Sequence, residues 1–296
     1  RIEKGHYLID LGKETVGYLD FDFISPKNQL VKICWGEHIV DGKVREIIEG
    51  RTFITTYQAK KGKNNFFSTF RRYGLRYLEI YCQEDIDINY FGITPVTYPF
   101  KEKKWSIDNP LRKKIYETAI YTLKCCYHEH FEDCPWREQS FYCMDSRNQM
   151  IYHSLVFKNK ETFKSALKLM MEDNREDGLL SITFPNNIPL TIPSYSFYAF
   201  EEFVLYYNMS HDLETLELVY PKLVSLLSAL ESHYNEKEEL MYNFHGEPYW
   251  NFYEWVEGLD DGPVWFHGDV KDCLYNLLMI IAYQNIFYQN QDRNMF

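Results

Sequence analysis

Three carboxylates, Asp133, Glu138 and Asp145, fall within the most chemically dense stretch of this 296-residue chain, His128 to Gln149. Pro135 suits the first turn of a helix, where its missing N–H costs nothing. A helix is therefore predicted from about Trp136 to Phe157, with Asp133 or Cys134 at its cap. Glu138 and Asp145, about two helical turns apart, would then share one face. Arg137 supplies a counter-charge, and Trp136, Phe141 and Tyr142 supply walls. Carboxylates accept hydrogen bonds from hydroxyls and aromatic rings offer flat apolar faces, so the set fits a sugar. A plainer reading uses the same residues. Asp133 is then only an N-cap, Glu138 only a first-turn acid favoured by the helix dipole, and Asp145 only a solvated partner of Arg147 or Arg137.

His128 and His130, with Glu129 and Glu132 beside them, raise the question of a metal. No third or fourth ligand follows at a recognised spacing, so neither metal nor cofactor is expected and support of Asp133 is the better role.

The composition bounds the partners. Hydrophobic residues make up 45% of the chain, enough for one large or two smaller cores. A net charge of −11 without any long basic patch argues against nucleic acid. The 25 Tyr and 21 Phe suit a neutral glycan as well as they suit an ordinary core. No apolar run is long enough to cross a bilayer. Seven cysteines form no paired pattern, and the adjacent Cys125 and Cys126 cannot readily bridge each other, so reduced thiols are expected. The chain opens on Arg1 rather than Met, and any targeting segment is expected upstream.

The elements that must position the motif change character along the chain. Residues 1–97 read as an antiparallel β-sandwich. Runs at 18–23, 30–35, 52–57 and 75–81 are separated by turn signals such as Pro26-Lys27-Asn28, Asp41-Gly42 and Lys61-Gly62. Residues 98–106 read as a linker. Helical patterning opens at Asp108-Asn109-Pro110, where Leu111, Ile115, Ala119, Thr122 and Leu123 trace a stripe. Further helices are predicted over about 136–157, 161–171, 195–208, 213–233 with Asp212 as cap, and 269–288. Residues 107–296 thus supply roughly six helices.

Asp133-Cys134-Pro135-Trp136-Arg137-Glu138, followed by Asp145, resembles the signature of the bacterial α-L-rhamnosidases, inverting glycoside hydrolases. Where that family has Gly-Trp-x-Gly before the second Asp, this chain has Phe141-Tyr142-Cys143-Met144, with Tyr142 at the Trp position. The segments Asp10-Leu11-Gly12, Trp35-Gly36-Glu37 and Phe70 to Tyr77 resemble the β-domain that precedes the family's catalytic barrel. The resemblance implies a multidomain β + α chain, a sandwich followed by part of an (α/α)6 barrel of helical hairpins.

It also implies hydrolysis of terminal α-L-rhamnosyl residues with inversion. Glu138 would be the general acid, and Asp133, Arg137, Tyr142 and Asp145 would bind the sugar. Glu254-Trp255 resembles the Asp-Trp segment that lines the family's sugar pocket and is read as a binding element. The family's base is a Glu much further towards the C-terminus; Glu254, Glu257, Asp260 and Asp261 are candidates here, and none is assigned. A first-turn Glu next to Arg137 would favour its ionised form, so acid catalysis would require burial and the nearby Asp133 and Asp145 to oppose this. About half the helices of a full barrel are found, so the chain is expected to be a fragment. The expected partner is a rhamnose-containing glycan or glycoside. The open edge of a partial barrel admits a homo-oligomer, and reduced thiols favour a bacterial cytoplasm over periplasm or secretion. The alternative is a non-catalytic carbohydrate-binding protein, or an inactive fragment lacking the base.

Overall fold

The computed structural model describes residues 1–260 and 271–291. They fall into two compact units. One takes 1–99, 107–129 and 134–139; the other takes 100–106, 130–133 and the described residues from 140 onwards.

The first unit is built on a five-stranded antiparallel sheet. Its strands are β1 (His6–Ser25), β2 (Gln29–Gly36), β7 (Ile54–Ala59), β8 (Gly62–Tyr81) and β9 (Asp87–Pro95), in the order β7-β2-β8-β1-β9. Between β2 and β7 lie two small hairpins, β3 (Ile39–Val40) with β4 (Lys43–Val44) and β5 (Ile47–Ile48) with β6 (Arg51–Thr52). Alternation makes the core: Leu19, Phe21 and Phe23 of β1 are buried, as are Val31, Ile33 and Trp35 of β2. β7 and β1 are separated in the sheet by two strands, roughly 14 Å on a flat sheet. Yet Tyr57 of β7 meets Phe21 and Phe23 of β1 with ring centroids 4.9 and 6.0 Å apart. The sheet therefore folds over on itself, and its two ends pack face to face as the expected sandwich.

At the polar centre of this unit Glu79 is only 1% exposed. The Tyr81 hydroxyl donates to its Oε1 at 2.7 Å, His6 Nε2 lies 2.7 Å from the same oxygen, and the Val44 N–H donates to Oε2 at 2.9 Å.

Helix α1 (Pro110–Cys125) starts as expected, with Asn109 Oδ1 accepting from the Arg112 N–H and Pro110 in the first turn. By its contacts it groups with the sheet. The Tyr121 hydroxyl donates to the Glu14 carbonyl, and Lys13 lies over the Tyr121 ring. Of the predicted stripe, Leu111 and Ile115 are exposed; Ile120 and Cys125 are the buried residues.

The second unit is helical: α2 (Cys143–Val156), α3 (Glu161–Met171), α4 (Pro193–Ser196), α5 (Tyr198–Ser210), α6 (Leu213–Glu231) and α7 (Cys273–Gln291), with a hairpin β10 (Tyr234–Asn235) and β11 (Leu240–Met241) after α6. α5 packs against α2 on one side and α7 on the other, while α3 and α6 pack on α5 and on each other. Two layers of hairpin helices result, as in part of an (α/α)6 barrel. Asp212 caps α6 through the Thr215 N–H. The helix expected over 195–208 is divided at Phe197 into α4 and α5, and the last helix starts at Cys273.

The larger correction concerns 136–157. Residues 135–138 form a turn and the helix begins at Cys143. The cause is local. The Asp133 N–H donates to the Ser140 carbonyl at 2.9 Å, and the Ser140 N–H donates back to Asp133 Oδ1 at 2.8 Å. Gln139 takes a φ of 54°, in the left-handed region, which a helix cannot pass through. Glu138 and Asp145 therefore do not share a helix face.

Candidate functional site

The motif is divided between the two units. Arg137 and Glu138 lie on the 134–139 turn, which belongs with the sheet, and Asp133, Tyr142 and Asp145 belong with the helices.

The turn rests on the sheet at two glycines. A Cβ on Gly74 would lie 1.8 Å from the Pro135 carbonyl oxygen, so only glycine admits the approach; one on Gly36 would lie 3.1 Å from the Trp136 ring. Trp136 packs on Phe53, with centroids 4.7 Å apart. The β5–β6 hairpin turns through Glu49 and Gly50, both at positive φ as a two-residue connection requires. It thereby presents Glu49 and Arg51 to the turn. Arg137 donates to Glu49 at 2.8 Å, and Arg51 donates to Glu138 Oε1 at 3.1 Å, with the Arg137 guanidinium 3.7 Å from the same oxygen. The Glu138 side chain is only 16% exposed. Its carboxyl group thus stands largely out of water between two guanidinium groups.

Asp145 sits in the first turn of α2, where the helix dipole favours its charge, with Tyr142 at the N-cap. The Tyr142 ring meets Tyr195 edge-on, centroids 6.3 Å apart, and Tyr195 continues to Tyr198 and Phe252. Phe252 in turn touches Trp255 at 4.8 Å. Burial pushes the Tyr195 phenol far above its ordinary range, and the charges of Asp145 and Glu254 add to the effect. Of the expected binding residues, Tyr142 thus meets the Tyr195 ring directly, Asp145 and Glu254 act on it through their charge, and Trp255 joins the same cluster through Phe252. Trp255 is 70% exposed, and Glu254 accepts from the Trp255 N–H, so this end of the cluster is open to solvent. Carboxylates beside aromatic faces can hold hydroxyls and stack an apolar sugar face.

Beneath the cluster, α2 and α5 share a buried carboxyl group. Glu202 accepts from the Ser146 hydroxyl and, at 3.8 Å, from the Cys143 thiol, the residues that bracket Asp145. Burial pushes Glu202 up to about 8. Beside it Arg147 pairs with Glu201 at 2.7 Å and lies over the Tyr198 ring.

Asp133 is held by Ser140, as described. Of the other candidate bases, Glu257 is exposed, Asp260 accepts from the Trp250 indole N–H at 2.8 Å, and Asp261 lies outside the described residues. His130 stacks on Phe141 and has its Nδ1 2.7 Å from the Phe131 carbonyl oxygen, while Glu129 pairs with Arg72. Among the described residues no group of three His, Cys, Asp or Glu side chains is arranged to hold a metal ion.

Sequence reasoning missed Arg51, Tyr195, Tyr198 and Glu202. Arg51 is 87 residues from Glu138 and carries no local signal. The two tyrosines had one, a Pro-punctuated loop running into a helix start at Pro193.

Residues 103–264 match the family model of the bacterial α-L-rhamnosidase six-hairpin glycosidase domain, and residues 1–90 that of the bacterial α-L-rhamnosidase concanavalin-like domain. Comparison with curated protein sequences gives no match. Among solved structures the chain is similar to the GH78 family rhamnosidase of Bacillus sp. GL1, with TM-score 0.83, 20% identity, and coverage of 97% of this chain and 29% of that one. It is also similar to the rhamnosidase from Klebsiella oxytoca with rhamnose bound, at TM-score 0.75, 18% identity and coverage of 98% and 58%. A third similar structure is the native α-L-rhamnosidase from Aspergillus terreus, at TM-score 0.76, 16% identity and coverage of 96% and 34%. The chain spans less than two thirds of each of these proteins, and at such identities the likeness is one of fold.

Proposed function

Because the chain belongs to the bacterial α-L-rhamnosidase family, we propose that it supplies the sugar-binding half and the acid of a glycoside hydrolase acting on terminal α-L-rhamnosyl residues. The observation that carries this reading is the aromatic cluster in which Tyr142 and Phe252 meet Tyr195 and Trp255 meets Phe252, with the charges of Asp145 and Glu254 acting on Tyr195. The rings take the apolar face of the sugar, and Asp133, Asp145 and Arg137 take its hydroxyls. Glu138 gives its proton to the leaving oxygen, and Arg51 then stabilises the carboxylate that remains. Inversion needs a second carboxylate about 6.5–9.5 Å from the first, with a water between it and the sugar.

A second reading, sugar binding without turnover, draws on the candidate bases: Glu254 is held by the Trp255 N–H and Asp260 by the Trp250 indole.

The test is hydrolysis of p-nitrophenyl α-L-rhamnopyranoside by this chain and by its longest natural form. Release of p-nitrophenol that falls by at least about 100-fold in Glu138→Gln supports the assignment, the loss of one general acid being worth about 10²–10⁴. Binding of L-rhamnose without turnover in either form favours the second reading. Neither binding nor turnover sinks both.

A further inference from the structure

The helical unit holds an open cleft of about 860 Å3 between the end of α3, the loop at 184–189 and the Pro248–Tyr249 turn. Small-molecule sites commonly enclose about 300–1,000 Å3. One wall of this cleft is fixed by a built network. Arg175 forks onto Asp177, its Nε 3.1 Å from Oδ1 and its Nη2 2.7 Å from Oδ2, and its other arm donates to the Pro189 carbonyl. The Tyr249 side chain hydrogen-bonds to the same Asp177, so its ring is anchored at the hydroxyl end. The lining also includes the apolar Pro185, Ile188 and Pro248, and Ile188 is 55% exposed.

The lining of the cleft is joined to the aromatic cluster by two connections. Phe184, in its lining, donates its N–H to the Phe141 carbonyl at 3.1 Å, next to Tyr142. Tyr249 is followed by Trp250, whose indole touches Phe252 and Trp255 at 5.2 and 5.8 Å, and Phe252 reaches Tyr195. The ribbon 249–255 therefore runs from the cleft to the part of the aromatic cluster that meets Tyr195. The lining is also charged in one sense. Glu172, Asp173 and Glu176 contribute negative charge, and the guanidinium of Arg175 is already engaged. A carboxylate entering here would meet repulsion.

We propose that this cleft holds the part of the glycan attached to the terminal rhamnosyl residue, and accepts it only when that part is uncharged. The inference rests on the functional reading above and adds the substrate class: neutral rhamnosyl oligosaccharides or glycosides, not uronic-acid-bearing ones. Tyr249 offers the next sugar a fixed ring face, and the Ile188 loop closes over its apolar side.

The experiment is titration calorimetry of the full chain carrying Glu138→Gln, so that ligands stay intact. The probes are L-rhamnose, an α-L-rhamnosyl-glucose disaccharide and an α-L-rhamnosyl-galacturonate disaccharide. The neutral disaccharide is expected to bind about tenfold tighter than rhamnose, near the upper end of what one aromatic stack supplies. The uronate is expected to bind no tighter than rhamnose. Tyr249→Ala should reduce the neutral disaccharide to the rhamnose value while leaving rhamnose itself within about twofold. Ile188→Asp should do the same at an exposed position where the fold is not at stake. Equal affinity for rhamnose and the neutral disaccharide, or tighter binding of the uronate, overturns the cleft while the functional reading stands. Absence of binding by all three probes overturns both.

Discussion

Glu79 of the sheet unit and Glu202 of the helical unit are both fully buried, and the two are partnered differently. Glu79, among the strands, has both oxygens engaged, by Tyr81, His6 and the Val44 N–H. Glu202, between α2 and α5, has one oxygen engaged by a hydroxyl and a weakly donating thiol, and the other has no hydrogen-bond partner among the described residues. Burial is equal; the supply of donors is not. A carboxylate in a low-dielectric interior is tolerable when it receives several strong donors, and otherwise it keeps its proton. The sheet thus uses its buried acid as a fixed joint, while the helices keep theirs protonated beneath the turn that carries Asp145.

That contrast can be broken most directly at the joint. Glu79→Ala leaves three donors facing a void and should cost about 3–5 kcal/mol in urea unfolding, at about 1–3 kcal/mol for each buried donor left unsatisfied. A loss below about 1 kcal/mol would mean the network is not holding the sandwich.

The next effect lies in pH. In the unfolded chain Glu202 loses its proton near its ordinary value of 4.5, whereas the folded chain keeps it up to about 8. The folded state therefore binds the extra proton across that window. Stability should fall as pH rises through it, by an amount on the order of a few kcal/mol, and level off above. Glu14, likewise pushed up to about 8 by burial and then by Glu37, adds to the same fall. Glu202→Gln should consequently shrink the slope of melting temperature against pH without abolishing it, and an unchanged slope would refute the protonated carboxyl.

The smallest expected effect sharpens the comparison. Ser146→Ala removes the stronger donor to Glu202 and should cost about 1 kcal/mol near pH 6. Because that hydroxyl favours the ionised form, its loss should also extend the falling window to higher pH, which the same melts would report.

What could be read from the sequence is what depends on neighbours along the chain. The alternation of Leu19, Phe21 and Phe23, and the caps at Asn109 and Asp212, each concern a few consecutive residues, and the structure follows them. The turn at 135–138 escaped because its cause is a pairing of Asp133 with Ser140, whose two ends look separately like a cap and an ordinary helix residue. Tyr195 was hidden in a four-residue helix too short to carry a period. Glu202 reads locally as one more acid on a helix, and only the packing of α2 on α5 makes it an interior group.

The seat of the 134–139 turn has a consequence for inheritance. Gly74, Gly36, Phe53, Glu49 and Arg51 all precede residue 103, where the match to the glycosidase domain begins. A helical domain transplanted from that boundary would keep the letters Arg137 and Glu138 and leave behind the bed that shapes and charges them. The proposed acid can travel between proteins only together with the strands it rests on, so exchange of one domain without the other would separate a motif from its meaning.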